Sequence, residues 1–253
     1  MRTAAEVLPV EVLRALTTVL PVPTVIGSFA RDYWALCVAD VNRVAVTLDV
    51  DVTILVDTLQ EYRRVLTALG AGPRDSVVKV LGFEVDVIPY GGLETDGIVE
   101  TTPGVTLDVT GMREAVAGAE RVVVDDLVVC VPQLADMIGL KVIAWGYRQE
   151  LTDKDARDIG VLFDVTHRGP FGDELWQDEA AGVRCDYDPV LMGPFRAGRS
   201  LGRSWDPTSR LRLTETLSRN AADLAARISR FDGSVAGLRM EQIDALRSGV
   251  QVP

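Results

Sequence analysis

The chain is predicted to fold as a mixed α+β protein, a sheet with flanking helices followed by a mostly helical part. Residues 46–56, VTLDVDVTILV, are β-branched and alternate at period 2, which marks a strand. Up to residue 131, strand-like stretches are interspersed with helix-like ones; beyond it the pattern turns helical. The expected division is therefore a sheet-bearing core over 1–131 and a helical part over 132–253.

The elements follow in order. The N-terminal MRTAAEVLPVEVLRALTTVL reads as an amphipathic helix interrupted or started at Pro9, covering the sheet. Its Glu6, Glu11 and Arg14 suit neither a signal-peptide core nor a membrane span. Thr24 to Ile26 is a short strand ending at Gly27, and a helix runs from Ser28 to Val38. After the 46–56 strand, an amphipathic helix over 58–69 closes at Gly70 and the turn Ala71-Gly72-Pro73. Strands over 77–81 and 83–89 flank Gly82, and Tyr90-Gly91-Gly92 ends the unit. A hairpin over 121–124 and 127–131 turns at Asp125-Asp126. Pro132 suits a first helical position for a helix through Arg148. Further helices are expected near 154–163, 173–181, 190–201, 209–228 and 240–248.

Composition excludes several chemistries. The 253 residues carry a net charge of −11, and 47% are hydrophobic, enough to bury a core. The single histidine, His167, rules out any site needing two imidazoles. In the polar stretch Thr166-His167-Arg168-Gly169 it is expected to be a solvated loop residue. Cys37, Cys130 and Cys185 are odd in number and far apart, which suggests neither a disulfide framework nor a zinc ribbon and fits a reducing cytoplasm. A working metal would need oxygen ligands, with Mg²⁺ or Mn²⁺ ahead of zinc.

Carboxylates of that kind are available. Strand alternation puts Asp49 and Asp51 on one face with Thr47 and Thr53, while Leu48, Val50, Val52 and Ile54 form the core face. Unpaired side-by-side carboxylates are costly unless a cation meets them; the alternative is an exposed strand face or a salt bridge. Asp86 interrupts a second strand on the same face as Glu84 and Ile88. Three acids on adjacent strands can hold two divalent ions about 4 Å apart, the chemistry of nucleotidyl transfer.

Gly27-Ser28 lies between a strand and a helix, where backbone N–H groups can bind phosphate; Ser28 could equally cap the helix. Arg31, one turn in, could reach a phosphate oxygen or pair with Asp32. Lys141 falls inside an apolar helical stripe, either pointing at a triphosphate or snorkelling, and Arg148 continues its face. Asp155 and Asp158, beside Lys154 and Arg157, would alone be an ordinary solvated surface.

Together, IGSFARDYW (26–34), TLDVDVTI (47–54), VDVIPYGG (85–92), LKVIAWGYR (140–148) and DKDARDI (153–159) resemble the DNA-polymerase-β-type nucleotidyltransferase superfamily, and within it the AbiEii-like toxin group. The resemblance covers roughly residues 24–163 and implies a polymerase-β-like nucleotidyltransferase sheet. By it, Gly27 and Ser28 are the phosphate motif, Asp49 and Asp51 the metal pair, Lys141 the lysine on the nucleotide phosphates, and Asp155 a downstream catalytic acid. Asp86 matches the third strand acid of the wider superfamily. Valine between Asp49 and Asp51, where isoleucine is usual, is a mild exchange, and residues after 164 show no match.

The implied activity is Mg²⁺- or Mn²⁺-dependent transfer of a nucleoside monophosphate from an NTP to an acceptor hydroxyl, with pyrophosphate released. The resemblance points further to a toxin–antitoxin or phage-defence toxin acting on tRNA 3′ ends, with a cognate antitoxin as partner. The acidic net charge argues against broad RNA binding. Arg196, Arg199, Arg203, Arg210, Arg212 and Arg219 form the best candidate RNA-facing patch, a solvated helical surface being the alternative. An aminoglycoside-type small-molecule nucleotidyltransferase and a non-catalytic nucleotide-binding module are the other possibilities.

Overall fold

The computed structural model describes residues 1–42, 47–72 and 77–252. Val46 of the predicted strand and Pro73 of the predicted turn lie outside the described residues. The architecture is mixed α+β around a six-stranded mixed sheet.

The N-terminal segment folds as two short helices on either side of Pro9, α1 (Ala4–Val7) and α2 (Val10–Leu16). Glu6 closes a capping box, its carboxylate accepting from the Thr3 backbone N–H at 2.7 Å. The apolar side of α2 is buried through Val12, Leu13 and Leu16. Strand β1 (Thr24–Ile26) leads directly into α3 (Gly27–Asp32), which continues as a π-helical stretch, Tyr33–Val38. Next come β2 (Asp49–Leu55) and α4 (Leu59–Ala68), the latter capped by Thr58 accepting from Glu61 N–H at 3.2 Å. Strands β3 (Val77–Val80) and β4 (Phe83–Tyr90) complete that side.

Val50, Val52 and Ile54 of β2 are buried, as the alternation requires. Leu48 is a correction. It precedes the first residue of β2 and is 61% exposed, because the core-facing row starts only at Val50.

A second difference concerns residues 98–117, where the sequence pattern marks no element. They form a two-stranded hairpin, β5 (Ile98–Thr102) and β6 (Val105–Asp108), and a short helix α5 (Met112–Ala117). The hairpin β7 (Glu120–Val124) and β8 (Leu127–Val131) turns at Asp125, whose φ of 54° suits the tight turn. The sheet order is β3-β4-β2-β1-β8-β7, with β2/β4 and β1/β8 parallel and the other pairs antiparallel.

Helix α6 (Leu134–Arg148) is capped at Gln133 rather than starting at Pro132. Pro132 instead lends its carbonyl to the Trp34 indole N–H at 2.9 Å, which fastens the start of α6 to the stretch after α3. Helix α7 (Lys154–Val165) follows. The single helix expected near 173–181 is two, α8 (Gly169–Leu175) and α9 (Glu179–Arg184), because Asp178 caps the second by accepting from Ala181 N–H at 3.1 Å. The chain ends with α10 (Pro189–Ser204), α11 (Pro207–Asp232) and α12 (Ala236–Val250). Helices α10 and α12 approach closely through Gly198 and Gly249; a Cβ at Gly198 would sit 2.0 Å from the Leu246 carbonyl oxygen.

The main hydrophobic core extends from Val7 to Val250 and draws residues from both sides of position 131. Helix α11 packs across α6 and α7. Among the described residues no helix is long and apolar enough to cross a membrane.

Candidate active site

The strand acids meet at the C-terminal side of the β1–α3 junction. Asp51 of β2 is the register partner of Asp86 on parallel β4, and on its other side of Ile26 on antiparallel β1. Asp49 stands two residues earlier, opposite Glu84. Gly27 follows Ile26 with φ +65°, and a Cβ there would lie 1.9 Å from Asp51 Oδ2. Only glycine lets α3 start over this carboxylate. The Ser28 backbone N–H donates to Asp51, so the first turn of α3 serves an internal anion. The Ser28 hydroxyl is buried, caps no helix and has no hydrogen-bond partner among the described residues.

Behind the strand acids lies a buried charge network. Lys141 Nζ lies 2.7 Å from Asp158 Oδ2 and 3.3 Å from Asp155 Oδ1. Arg148 grips Asp155 with both ends of its guanidinium, Nε at 2.6 Å and Nη2 at 2.8 Å. Arg31 is buried, donates to Asp32 at 2.7 Å through Nε and is ion-paired with Asp158 through Nη1. Of the two roles open to Arg31, the structure has the pair with Asp32. Asp155 and Asp158 correct the solvated surface expected of them, since both are fully buried. Burial works to raise their pKa, yet Lys141 with Arg148, and Lys141 with Arg31, hold the two carboxyls below their ordinary values. Burial likewise disfavours charge on Lys141, but Asp158 and Asp155 outweigh it and raise its pKa.

Between this network and the strand acids lies a cavity of about 350 Å³. Gly27, Asp49, Asp51 and Asp86 line its sheet side, and Lys141, Arg148 and Lys154 bring positive charge from α6 and α7. Lys154 Nζ lies 3.4 Å from Asp49 Oδ2. Leu107 and Asp108 of β6, with Met112 of α5, close another wall. Ser28, Arg31, Asp155 and Asp158 do not line the cavity; they support residues that do.

The cavity strains its acids. Burial pushes the Asp51 carboxyl up despite Lys141, Lys154 and Arg148. Burial, followed by the negative charges of Asp51 and Asp49, pushes Asp86 up to about 6. No hydrogen bond or ion pair from a described residue reaches the Asp86 carboxylate. Among the described residues no three metal-ligating side chains are gathered into a ready-made cage. Two facing, mutually repelling carboxylates nevertheless fit a hard divalent cation, which would relieve their repulsion.

The arginine patch is largely spoken for. Arg196 pairs with Asp178 at 3.2 Å and Glu174 at 3.4 Å, Arg199 pairs with Asp178, and Arg212 with Asp108 at 3.2 Å. Arg203 and Arg219 are exposed and carry no ion pair among the described residues. His167 is half-buried rather than solvated, its Nδ1 3.1 Å from the Phe163 carbonyl oxygen, and it is not at the cavity.

The sequence singled out the strand acids, Gly27, Lys141 and Asp155, and placed Arg148 beside them. It missed Lys154 as a cavity residue, Asp158 as the partner shared by Lys141 and Arg31, and the whole β6–α5 wall. The three-residue spacing of Asp155 and Asp158 was the available signal for the network. Compared with known proteins, the chain matches no family model, no curated protein and no solved structure.

Proposed function

We propose that this protein is a divalent-cation-dependent nucleotidyltransferase with a polymerase-β-like core, moving a nucleoside monophosphate from an NTP to an acceptor hydroxyl and releasing pyrophosphate. One observation carries the proposal: Asp51 and Asp86 face each other in register beside Asp49, across a cavity from Lys141. The motif resemblance over residues 24–163 supports it. Asp51 and Asp86, with Asp49 beside them on β2, would hold Mg²⁺ or Mn²⁺, which when bound neutralises charge on the attacking and leaving oxygens. Lys141, Arg148 and Lys154 bind and orient the triphosphate, three cations converging where phosphate charge has to be met. Asp155 holds Lys141 and Arg148 in position, and Gly27 keeps the backbone close enough for Asp51 to stand at the cavity floor.

For the acceptor, the AbiEii-like resemblance favours a tRNA 3′ end and a role as a cytoplasmic toxin controlled by a cognate antitoxin. Incubating the protein with labelled NTPs, Mg²⁺ and total RNA or cell extract should label an acceptor. Asp49→Ala should abolish the labelling, and equal labelling by that variant would sink the assignment.

One observation favours a second acceptor class. Arg196 and Arg199 are already neutralised by Asp178 and Glu174, which weakens the RNA-facing patch and leaves room for a small cationic acceptor. A mass gain of one nucleotide on an aminoglycoside incubated with ATP would select that class.

A further inference from the structure

The cavity is chemically divided, and its apolar part has no role in holding phosphate or metal. At 100° per residue, Lys141 and Arg148 fall within a narrow sector of α6, while Leu140, Ala144 and Tyr147 form a separate row beside it. The charged sector serves Asp155 and the strand acids. The apolar row shares the cavity wall with Leu107 of β6 and Met112 of α5. Tyr147 is 44% exposed, and its hydroxyl is hydrogen-bonded to that of Thr106 on β6. Tyr147 is also the only aromatic residue on the wall among the described residues, so a ring held by the hairpin stands at the apolar end of a charged cleft.

We propose that this apolar part is the nucleobase subsite and that the Tyr147 ring is the surface on which the base stacks, oriented by its hydrogen bond to Thr106. The inference rests on the nucleotidyltransferase proposal and deepens it. A nucleotide has one highly charged end and one flat, uncharged end, and the cavity offers a matching pair of surfaces. Every base has a π-face, so the stack supplies affinity without choosing among bases. Hairpin β5–β6 thereby acquires a function, since it carries Thr106 and Leu107 to the base.

The test separates the two ends of the ligand. Binding of an NTP and of inorganic tripolyphosphate, each with Ca²⁺ to prevent turnover, is measured by calorimetry on the full chain and on Tyr147→Ala and Tyr147→Phe. The wild type should bind the NTP more tightly than tripolyphosphate. Tyr147→Ala should weaken the NTP about tenfold, a typical loss for one base–aromatic stack, and leave tripolyphosphate unchanged. Tyr147→Phe keeps the ring and should retain most of the affinity. An NTP bound no more tightly than tripolyphosphate by the wild type would overturn the subsite while leaving the nucleotidyltransferase proposal standing. Equal effects of Tyr147→Ala on both ligands, no effect on either, or a Phe variant as weak as the Ala variant would overturn the stacking role. A wild type that binds neither ligand would remove the nucleotidyltransferase proposal itself, and the subsite with it.

Discussion

Asp51 and Asp86 stand opposite one another on neighbouring parallel strands, and the Asp86 carboxylate receives no hydrogen bond or ion pair from a described residue. Most other acids around the site are answered from within the chain: Asp155 by Lys141 and Arg148, Asp158 by Lys141 and Arg31, Asp49 by Lys154. The unanswered charge lies on the cavity floor, where a cation from solution can reach it.

That imbalance gives a pH dependence. With Asp86 pushed up to about 6 from its ordinary 3.8, both folded and unfolded states hold the proton below the lower value, and neither does above the upper. Stability therefore falls as pH rises from about 4 to about 6. In EDTA, Asp86→Asn should melt higher than the wild type at pH 7.5, by about 1–2 kcal/mol after allowing for solvent screening, and equally at pH 3.5. Parallel thermal melts at the two pH values check it.

Lys141 sits between two fully buried carboxylates, so removing its charge takes one of two cations from each and leaves Asp155 to Arg148 and Asp158 to Arg31. Lys141→Met should lose about 3 kcal/mol of stability in urea titration. Adding Asp158→Asn should restore part of the loss, because Arg31 retains Asp32 as its partner. Arg148→Ala, at a half-exposed position, should lose less.

Gly27→Ala should be damaging for two separable reasons. The φ of +65° costs a side-chain-bearing residue about 1–2 kcal/mol, and the new methyl would displace the Asp51 carboxylate. Nucleotidyl transfer should fall well beyond what the modest loss of melting temperature explains.

The arginine patch makes a contrasting pair of variants. Arg196→Glu sets like charges against Glu174 and Asp178, the latter also capping α9, and should lower the melting temperature. Arg203→Glu alters an exposed side chain with no ion pair among the described residues and should leave the fold unchanged. If tRNA is the acceptor, Arg203→Glu should weaken tRNA labelling severalfold while NTP binding stays the same.

Strand alternation in VTLDVDVTILV was enough to set Asp49 and Asp51 side by side, because a half-buried strand writes its two faces directly into the sequence. Asp86 was legible for the same reason. Leu48 showed the limit of the pattern, since alternation cannot tell where a strand's core contact begins. The β5–β6 hairpin was not legible: its stretch DGIVETTPGVTLD mixes glycine, threonine and acids, with too few apolar residues to mark a face. Asp158 was hidden differently. On α7 alone it belongs to a charged surface, and only packing of α7 against α3 and α6 buries it between Arg31 and Lys141. Tertiary burial of that kind has no signature at short range.

The most direct test of nucleotidyl transfer follows the two ends of the triphosphate. NTPs labelled at the α- or at the γ-phosphorus are incubated with Mg²⁺, total RNA and either the wild type or Asp51→Asn. The α-label should move to the acceptor, the γ-label should leave as pyrophosphate, and Asp51→Asn or EDTA should stop both. An acceptor carrying the γ-label, or one labelled equally by Asp51→Asn, would contradict the assignment.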